Sequence, residues 1–137
     1  MATFDEIITS LPTEPLPKGR AFENICKWFL ENDPVYSNSL RKVWLWDDWP
    51  GRWGPDAGID LVAETRDGNL WAIQAKAYDE TTSVTKRDVD SFLSESNREQ
   101  FKFRLLIATT DRIARNATQV VIGQEKQASL LLLSDLA

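Results

Sequence analysis

The chain has 137 residues, with 16 lysines and arginines against 21 aspartates and glutamates, a net charge of −5, and no histidine. This is the length of one domain, and the missing histidine excludes histidine-metal sites, Ser-His-Asp triads and histidine general bases. The single cysteine, Cys26, excludes an internal disulfide and fits a reducing cytoplasm, where we expect a protein without a membrane segment.

Apolar periodicity and turn residues predict the order of helices and strands along the chain. Amphipathic stretches indicate helices, and alternating or continuous apolar runs indicate strands. The predicted elements are helix 19–31, strands 41–46, 58–65 and 70–77, helix 86–98, strand 103–110, a helix from Thr110 or Asp111 to Gly123, and strand 129–134. This order predicts an α/β domain with a mixed central sheet flanked by helices.

The two middle strands are predicted to form a hairpin with a defined register. Their apolar residues are odd-numbered, so both sets face one core only if paired residue numbers add to an even total. A three-residue loop, 66–68, meets this condition by pairing Thr65 with Asn69. Gly68 then takes the left-handed last position of the loop, which glycine adopts without strain.

The same register predicts which side chains share the even-numbered face of the hairpin. Asp60 is expected directly across from Gln74 and diagonal to Lys76. A carboxylate, an amide and an ammonium group would then meet. Such a set is either a functional site or a solvated polar face with a cross-strand ion pair.

Asp60, followed by thirteen residues and then Gln74-Ala75-Lys76, resembles the signature of the PD-(D/E)xK nuclease superfamily. GIDL followed by IQAKAY resembles its Mrr-like restriction endonuclease branch, in which Gln replaces an acid. GRAFENICKWFL resembles the first helix of that branch, with a Glu at Glu23, and FRLLIATTDRIARNA follows its later strand, loop and helix. The resemblance covers residues 19–135. Pro55-Asp56 also matches the letters PD, but it precedes the strand, so the motif aspartate is assigned to Asp60.

The resemblance implies the restriction-endonuclease-like core, α-β-β-β-α-β-α-β, and DNA phosphodiester hydrolysis with Mg²⁺ as cofactor, for which Mn²⁺ is a substitute. Asp60 would be the main carboxylate ligand, with oxygen ligands from the Gln74 side chain and the Ala75 carbonyl. Glu23 is the candidate for a second acid that helps to hold the metal. Lys76 would orient the attacking water and stabilise charge in the transition state.

Within the Mrr-like group, the chain resembles the nuclease modules of ATP-dependent, single-polypeptide Type ISP restriction-modification enzymes. The expected substrate partner is double-stranded DNA. A helicase-like ATPase domain and methyltransferase and target-recognition domains are expected in the same native chain. A second nuclease domain would serve double-strand cleavage. Because a Pro-rich stretch precedes the first predicted helix, we expect residues 1–18 to be an extension. Because the chain stops after an apolar strand, we expect residues 19–137 to be a nuclease domain cut from a larger enzyme. The alternatives are a catalytically silent DNA-binding or docking module and a junction-resolving repair nuclease.

Two further features admit both structural and functional interpretations. Trp44 and Trp46 suit a strand in the core, whereas Trp49 and Trp53 lie in a Pro/Gly-rich loop. That loop either folds over the sheet edge or forms a docking surface. Bases at the starts of two predicted helices either contact phosphates or are solvated, namely Lys86, Arg87, Arg112 and Arg115.

Overall fold

The computed structural model describes residues 15–54, 58–77, 82–110, 112–123, 128–132 and 136. In chain order the elements are helix α1 (Pro15–Asn32), the one-turn helix α2 (Pro34–Ser37), strand β1 (Leu40–Leu45), a 3₁₀ helix (Trp46–Asp48), strands β2 (Leu61–Thr65) and β3 (Leu70–Lys76), helix α3 (Lys86–Glu95), strand β4 (Phe101–Ala108), helix α4 (Arg115–Ile122) and strand β5 (Ala128–Leu131). Of the helices in these ranges, none has the length and apolar character needed to cross a membrane.

The strands form one mixed sheet in the order β1-β2-β3-β4-β5. Strands β1, β2 and β3 are paired antiparallel, and β3, β4 and β5 are paired parallel. Each parallel connection contains a helix, as crossover connections usually do. The carboxyl ends of β3, β4 and β5 therefore lie at one edge of the sheet. This is the flanked α/β sheet that the sequence predicts, with two differences: α1 begins at Pro15, within the predicted extension, and not at residue 19, and the short helix α2 is additional.

The register predicted for the middle hairpin is confirmed. Leu61 pairs with Ile73, and the pairs that follow toward the turn keep the same even total. The backbone N–H of Thr65 donates to the carbonyl of Asn69 at 2.8 Å, and that of Gly68 donates to Thr65 at 3.0 Å. Gly68 has a φ of +90°, so the turn has the left-handed glycine that the three-residue loop requires.

Helices cover both faces of the sheet. Odd-numbered residues of β2 and β3 belong to the core beneath α1, which contributes Phe22 and Cys26. The even-numbered Val62 and Ala72 are also fully buried, in a second core with residues of α3 and α4. The interpretation of the even-numbered face as a solvated surface is therefore wrong, because helices cover it. Polar side chains at this face need partners or a ligand.

The segment after β1 folds back onto the sheet and supplies aromatic residues to the core. Trp46 begins the 3₁₀ helix instead of ending the strand, and it is buried together with Trp49. The Trp46 indole N–H donates to the carbonyl of Gly54 at 2.7 Å. Trp53 is 36% exposed, and the guanidinium carbon of Arg98 lies 3.6 Å from its ring centroid. The loop folds back onto the sheet as predicted, but Trp49 and Trp53 pack against Phe101 of the inner strand β4 and not over a sheet edge. Trp49 is not available for docking.

Helix α4 begins later than predicted. Its N-cap is Ala114, which makes no side-chain capping hydrogen bond, whereas Thr110 or Asp111 was expected. Asp111 lies outside the described residues. The reason is an isolated parallel bridge between Val84 and Ile113, which holds the chain extended until just before the helix.

Candidate active site

Asp60 is held at the start of β2 by neighbours on both sides. Its backbone N–H donates to the carbonyl of Ile73 at 2.9 Å, and its carbonyl accepts from the N–H of Trp46 at 2.9 Å. Leu61 is also paired with Ile73, so two successive residues face one, which is the arrangement of a β-bulge. The Asp60 carboxylate accepts a hydrogen bond from the backbone N–H of Ala75 at 2.9 Å. Asp60 thus lies beside the end of β3 as predicted. Because of the bulge, its backbone pairs with Ile73, whereas the sequence predicts Gln74.

Gln74 has a buried side-chain amide with one end paired. The residue is 9% exposed, and its Nε2 donates to the carbonyl of Gly58 at 3.1 Å. Within the described part of the chain, Oε1 accepts no hydrogen bond. A buried acceptor without a donor costs about 1–3 kcal/mol, so its presence calls for a ligand or an ordered water.

Glu23 lies on α1 and carries a carboxyl group that resists ionisation. Its pKa is raised from 4.5 to about 7, first by burial and then by the charge of Asp60; Arg20 opposes this shift, and Asp47 adds to it. The nearby Cys26 thiol has its pKa raised well above its usual value by burial, and then by Asp60 and Glu23. Cys26 is therefore a neutral core residue, as predicted. Glu23 and Asp60 lie within each other's electric field, and a cation between them would relieve the repulsion.

Lys76 and Ala75 lie at the carboxyl end of β3, next to Asp60. Ala75 provides the N–H that binds the Asp60 carboxylate. Lys76 is half-buried, and its carbonyl accepts from the N–H of Thr109, just after β4, at 3.1 Å. The ion pairs found among the described residues do not include Lys76. Lys76 thus lies where the parallel strands end, and no ion pair with another described residue occupies its charge.

The oxygen atoms of this set suit a hard divalent cation. The carboxylates of Glu23 and Asp60, the amide oxygen of Gln74 and a backbone carbonyl are the ligand types that Mg²⁺ and Mn²⁺ take. Two observations support the fit, namely the unbonded Oε1 of Gln74 and the repulsive field at Glu23. Within the described ranges, no three acidic, histidine or cysteine side chains converge on one point. A cation here would therefore depend on amide, carbonyl and water oxygens, several of which Mg²⁺ usually keeps.

Two residues near the site were not predicted from the sequence. Asp47, exposed in the 3₁₀ helix after β1, adds to the field at Glu23. Gly58, two residues before Asp60, accepts the hydrogen bond from Gln74. The acidic pair after β1 was a signal for Asp47, but a long connection separates it from Asp60. The alternative motif residue of the sequence, Asp56, lies outside the described residues.

The predicted basic residues lie at the starts of two neighbouring helices. The bridge between Val84 and Ile113 holds these two starts side by side. Lys86 forms an ion pair with Asp90, one turn further along α3. This ion pair partly neutralises the charge of Lys86. The other three bases are exposed, namely Arg87, Arg112 and Arg115. Their contact with phosphates stays a prediction.

Sequence comparison relates the chain to one family. The family model Mrr_cat_2, described as a restriction endonuclease, matches residues 31–137. No curated protein sequence matches the chain. The matched region includes Asp60, Gln74 and Lys76 but begins after Glu23. The assignment of Glu23 to the site therefore depends on the resemblance of its helix to the first helix of the family and on its electrostatic interaction with Asp60.

Solved structures share the fold of the chain. The chain is 34% identical to the ATP-dependent Type ISP restriction-modification enzyme LlaBIII, solved bound to DNA, with a TM-score of 0.82 over 99% of this chain and 8% of that chain. The DNA modification-dependent restriction endonuclease AspBHI is 19% identical, with a TM-score of 0.54 over 95% of this chain and 36% of that chain. MspJI restriction endonuclease, in complex with a 27-mer oligonucleotide, is 16% identical, with a TM-score of 0.51 over 99% and 33%. The two more distant similarities show the shared fold alone.

Proposed function

The chain belongs to the restriction endonuclease family, and on that premise we propose that it hydrolyses DNA phosphodiester bonds with a bound divalent cation, Mg²⁺ or Mn²⁺. The observation that supports the proposal is that the Asp60 carboxylate binds the backbone of Ala75, between Gln74 and Lys76, and that the buried amide oxygen of Gln74 accepts no hydrogen bond among the described residues. This combination fits a cation and a phosphate better than it fits a self-contained structural network.

We assign four residues to the metal. Asp60 and Glu23 supply carboxylates, Gln74 supplies Oε1, and Ala75 supplies its backbone carbonyl. When bound, the cation polarises the phosphate and lowers the pKa of a coordinated water. Because Gln74 is uncharged, the negative charge that attracts the cation comes from Asp60 and Glu23.

Lys76 is assigned to the phosphate and the attacking water. A lysine ammonium group carries three N–H donors and a compact positive charge. At the carboxyl edge of β3 it holds the water in line with the scissile bond and stabilises the negative charge that develops on the phosphate oxygens. Its half-buried position strengthens this effect, because charges interact more strongly away from bulk water.

We further propose that the chain is the cleavage module of an ATP-dependent restriction-modification enzyme. It spans 8% of the chain of LlaBIII, and the remainder of such an enzyme would supply the ATPase, the methyltransferase and target recognition. The net charge of −5 supports this division of work, because an acidic module gains little affinity from phosphates alone. Cutting both strands of a duplex would need a second active site from another copy.

Cleavage of supercoiled plasmid with and without Mg²⁺ or Mn²⁺ tests the proposal. We expect metal-dependent nicking or linearisation that EDTA stops. Asp60→Ala and Lys76→Ala should each lower the rate by at least about 10²-fold, since each removes charge stabilisation from the transition state. Asp67→Ala and Lys102→Ala are matched controls, because both residues are exposed and lie away from the site.

Full activity in a folded Asp60→Ala protein would contradict the assignment. Binding of labelled duplex without cleavage under either metal would instead support the silent-module alternative. Preferential cleavage of a four-way junction over linear duplex would support the repair alternative.

A further inference from the structure

We propose that Gly58 is a positioning residue of the metal site, whose carbonyl turns the Gln74 amide so that Oε1 faces the cation. This inference rests on the proposed function, since it concerns the oxygen that Gln74 gives to that site. It extends the proposed function by giving a role to the Gly58 carbonyl, which is not itself a proposed metal ligand.

The chemistry of an amide makes its orientation decisive. A carbonyl oxygen only accepts hydrogen bonds, whereas the two ends of a Gln amide differ, one donating and the other accepting. The Gly58 carbonyl lies 3.1 Å from Nε2 of Gln74. A flipped amide would place two acceptors face to face in a buried position and would lose the hydrogen bond.

The orientation matters more for Gln74 than it would for a carboxylate. Both oxygens of a carboxylate attract a cation, so a half-turn of the group changes little. A half-turn of the Gln74 amide would replace an attractive oxygen with a repulsive NH₂ group. Where an amide stands in place of an acid, the group that binds its NH₂ end therefore helps to decide whether a metal is held.

The backbone conformation at Gly58 and the tight space beside it disfavour any other residue. Its φ of +70° lies in the left-handed region, which L side chains rarely adopt. A Cβ at this position would lie 3.0 Å from Cγ of Glu95 and 3.3 Å from its Cβ. Because Glu95 ends α3, a side chain at position 58 would push against that helix and displace the carbonyl from Gln74.

Hydrogen bonds hold the chain after Gly58 to the sheet, and the chain at Gly54 to the 3₁₀ helix. The N–H of Asp60 donates to the carbonyl of Ile73 at 2.9 Å, on the strand that carries Gln74. On the other side, the Trp46 indole binds the carbonyl of Gly54 at 2.7 Å. The Gly58 carbonyl is thus held at a defined place beside β3.

Comparison of Gly58→Ala with Gly68→Ala tests the inference. Gly68 also has a positive φ, of +90°, but a Cβ there would meet no atom within 4 Å. Both substitutions therefore force alanine into the left-handed region, and only the first displaces a group that binds Gln74. We expect Gly58→Ala to weaken Mn²⁺ binding, measured by isothermal titration, by about tenfold or more, as loss of an outer-shell partner usually does.

Gly68→Ala should bind Mn²⁺ as the wild type does, although both variants should melt at lower temperature. A folded Gly58→Ala protein with wild-type Mn²⁺ affinity would overturn the inference, as would an equal loss of affinity in Gly68→Ala. The second result would show that the loss comes from general destabilisation.

If Gly58→Ala does not fold, the side-chain amide of Gln74 in the wild type gives an independent readout by NMR. Its signals are assigned by their absence from Gln74→Leu. We expect slowed exchange of one Nε2 proton and a shift of the pair on Mg²⁺ addition. Rapid exchange of both protons would overturn the inference.

Asp60→Ala separates failure of this inference from failure of the proposed function. Equal Mn²⁺ binding by the wild type and Asp60→Ala would contradict the metal site itself. Binding that requires Asp60 but ignores Gly58 would contradict only the positioning role of Gly58.

Discussion

The two ends of the β2–β3 pair each have a glycine with positive φ, and they use it differently. Gly68, with a φ of +90° at the turn, has open space around its Cα. Gly58, with a φ of +70° at the other end, is packed against Glu95 and bonded to Gln74. The same backbone conformation thus reverses the chain at one end and positions a buried amide at the other.

The surroundings of the two ends explain the difference. Residues 66–69 are exposed, so water satisfies their polar groups and the turn has only to close the hairpin. At the other end, α1 and α3 cover the strands, and a buried amide oxygen accepts no hydrogen bond. Uncompensated polarity in a covered position has a cost in stability, and such costs are often found at functional sites.

The largest difference between the two ends is expected from their amides. Gln74→Leu should lower the rate of plasmid cleavage by roughly 10–100-fold, because it removes one oxygen from the metal site. Asn69→Leu, at the exposed turn end, should cleave at the wild-type rate. Single-turnover assays at one fixed Mg²⁺ concentration near the wild-type Kd measure both, and an equal loss in the two variants would remove the distinction between the ends.

A pH dependence should also belong to the site end alone. The pKa of Glu23 is raised to about 7, and metal ligands bind in their deprotonated form. Between pH 6 and pH 8 its ionised fraction rises from about a tenth to about nine tenths, so Mn²⁺ affinity should rise by about tenfold. Titration calorimetry at the two pH values should show this rise in Mn²⁺ affinity in the wild type and in Asp67→Asn. In Glu23→Gln most of the rise should be absent.

The stability of the metal-free protein should change in the opposite direction with pH. Because the folded-state pKa of Glu23 lies above its usual 4.5, its contribution to stability is fully present below about pH 4.5 and is lost as pH rises through about 7. Glu23→Gln should therefore gain stability over the wild type at pH 8 and little at pH 4.5. Urea unfolding at both pH values checks the sign, and a constant difference between the two proteins would contradict it.

The smallest effect is expected at the turn. Gly68→Ala should cost about 1–2 kcal/mol in the free energy of unfolding, because alanine is strained in the left-handed region. It should leave cleavage unchanged, since the turn lies at the far end of β3 from Lys76. Urea denaturation and the plasmid assay on one preparation test both parts, and a loss of cleavage beyond the loss of folded protein would show that the ends are coupled.

The turn end was predictable from the sequence because its information is local. The odd-numbered apolar residues and one glycine determined an even register, and the pairing of Leu61 with Ile73 confirms it. The start of α3 at Lys86 agrees with the predicted helix for the same reason, since Thr85 and Asp88 form a capping box there. Side-chain alternation and turn chemistry act over a few residues, so the distant parts of the chain do not alter them.

The site end was less predictable because it depends on packing between distant segments. Resemblance to a family suggested Glu23, and the field between Glu23 and Asp60 arises only when α1 docks on the sheet. The bulge at Asp60 and the role of Gly58 depend on how the chain returns from β1 to β2. The pattern of apolar residues in the strands predicts neither the bulge nor the role of Gly58. The connection between β1 and β2 is long, and aromatic packing within it determines its path.

The proposed function requires that the edge of the sheet at Asp60 holds a divalent cation through Asp60 and the amide oxygen of Gln74. Anomalous diffraction from crystals grown with Mn²⁺ tests it most directly. We expect an anomalous peak within bonding distance of the Asp60 carboxylate and of Gln74 Oε1, with Nε2 still donating to the Gly58 carbonyl. Ordered crystals with no peak at this edge, or with a peak that Gln74 does not contact, would contradict it.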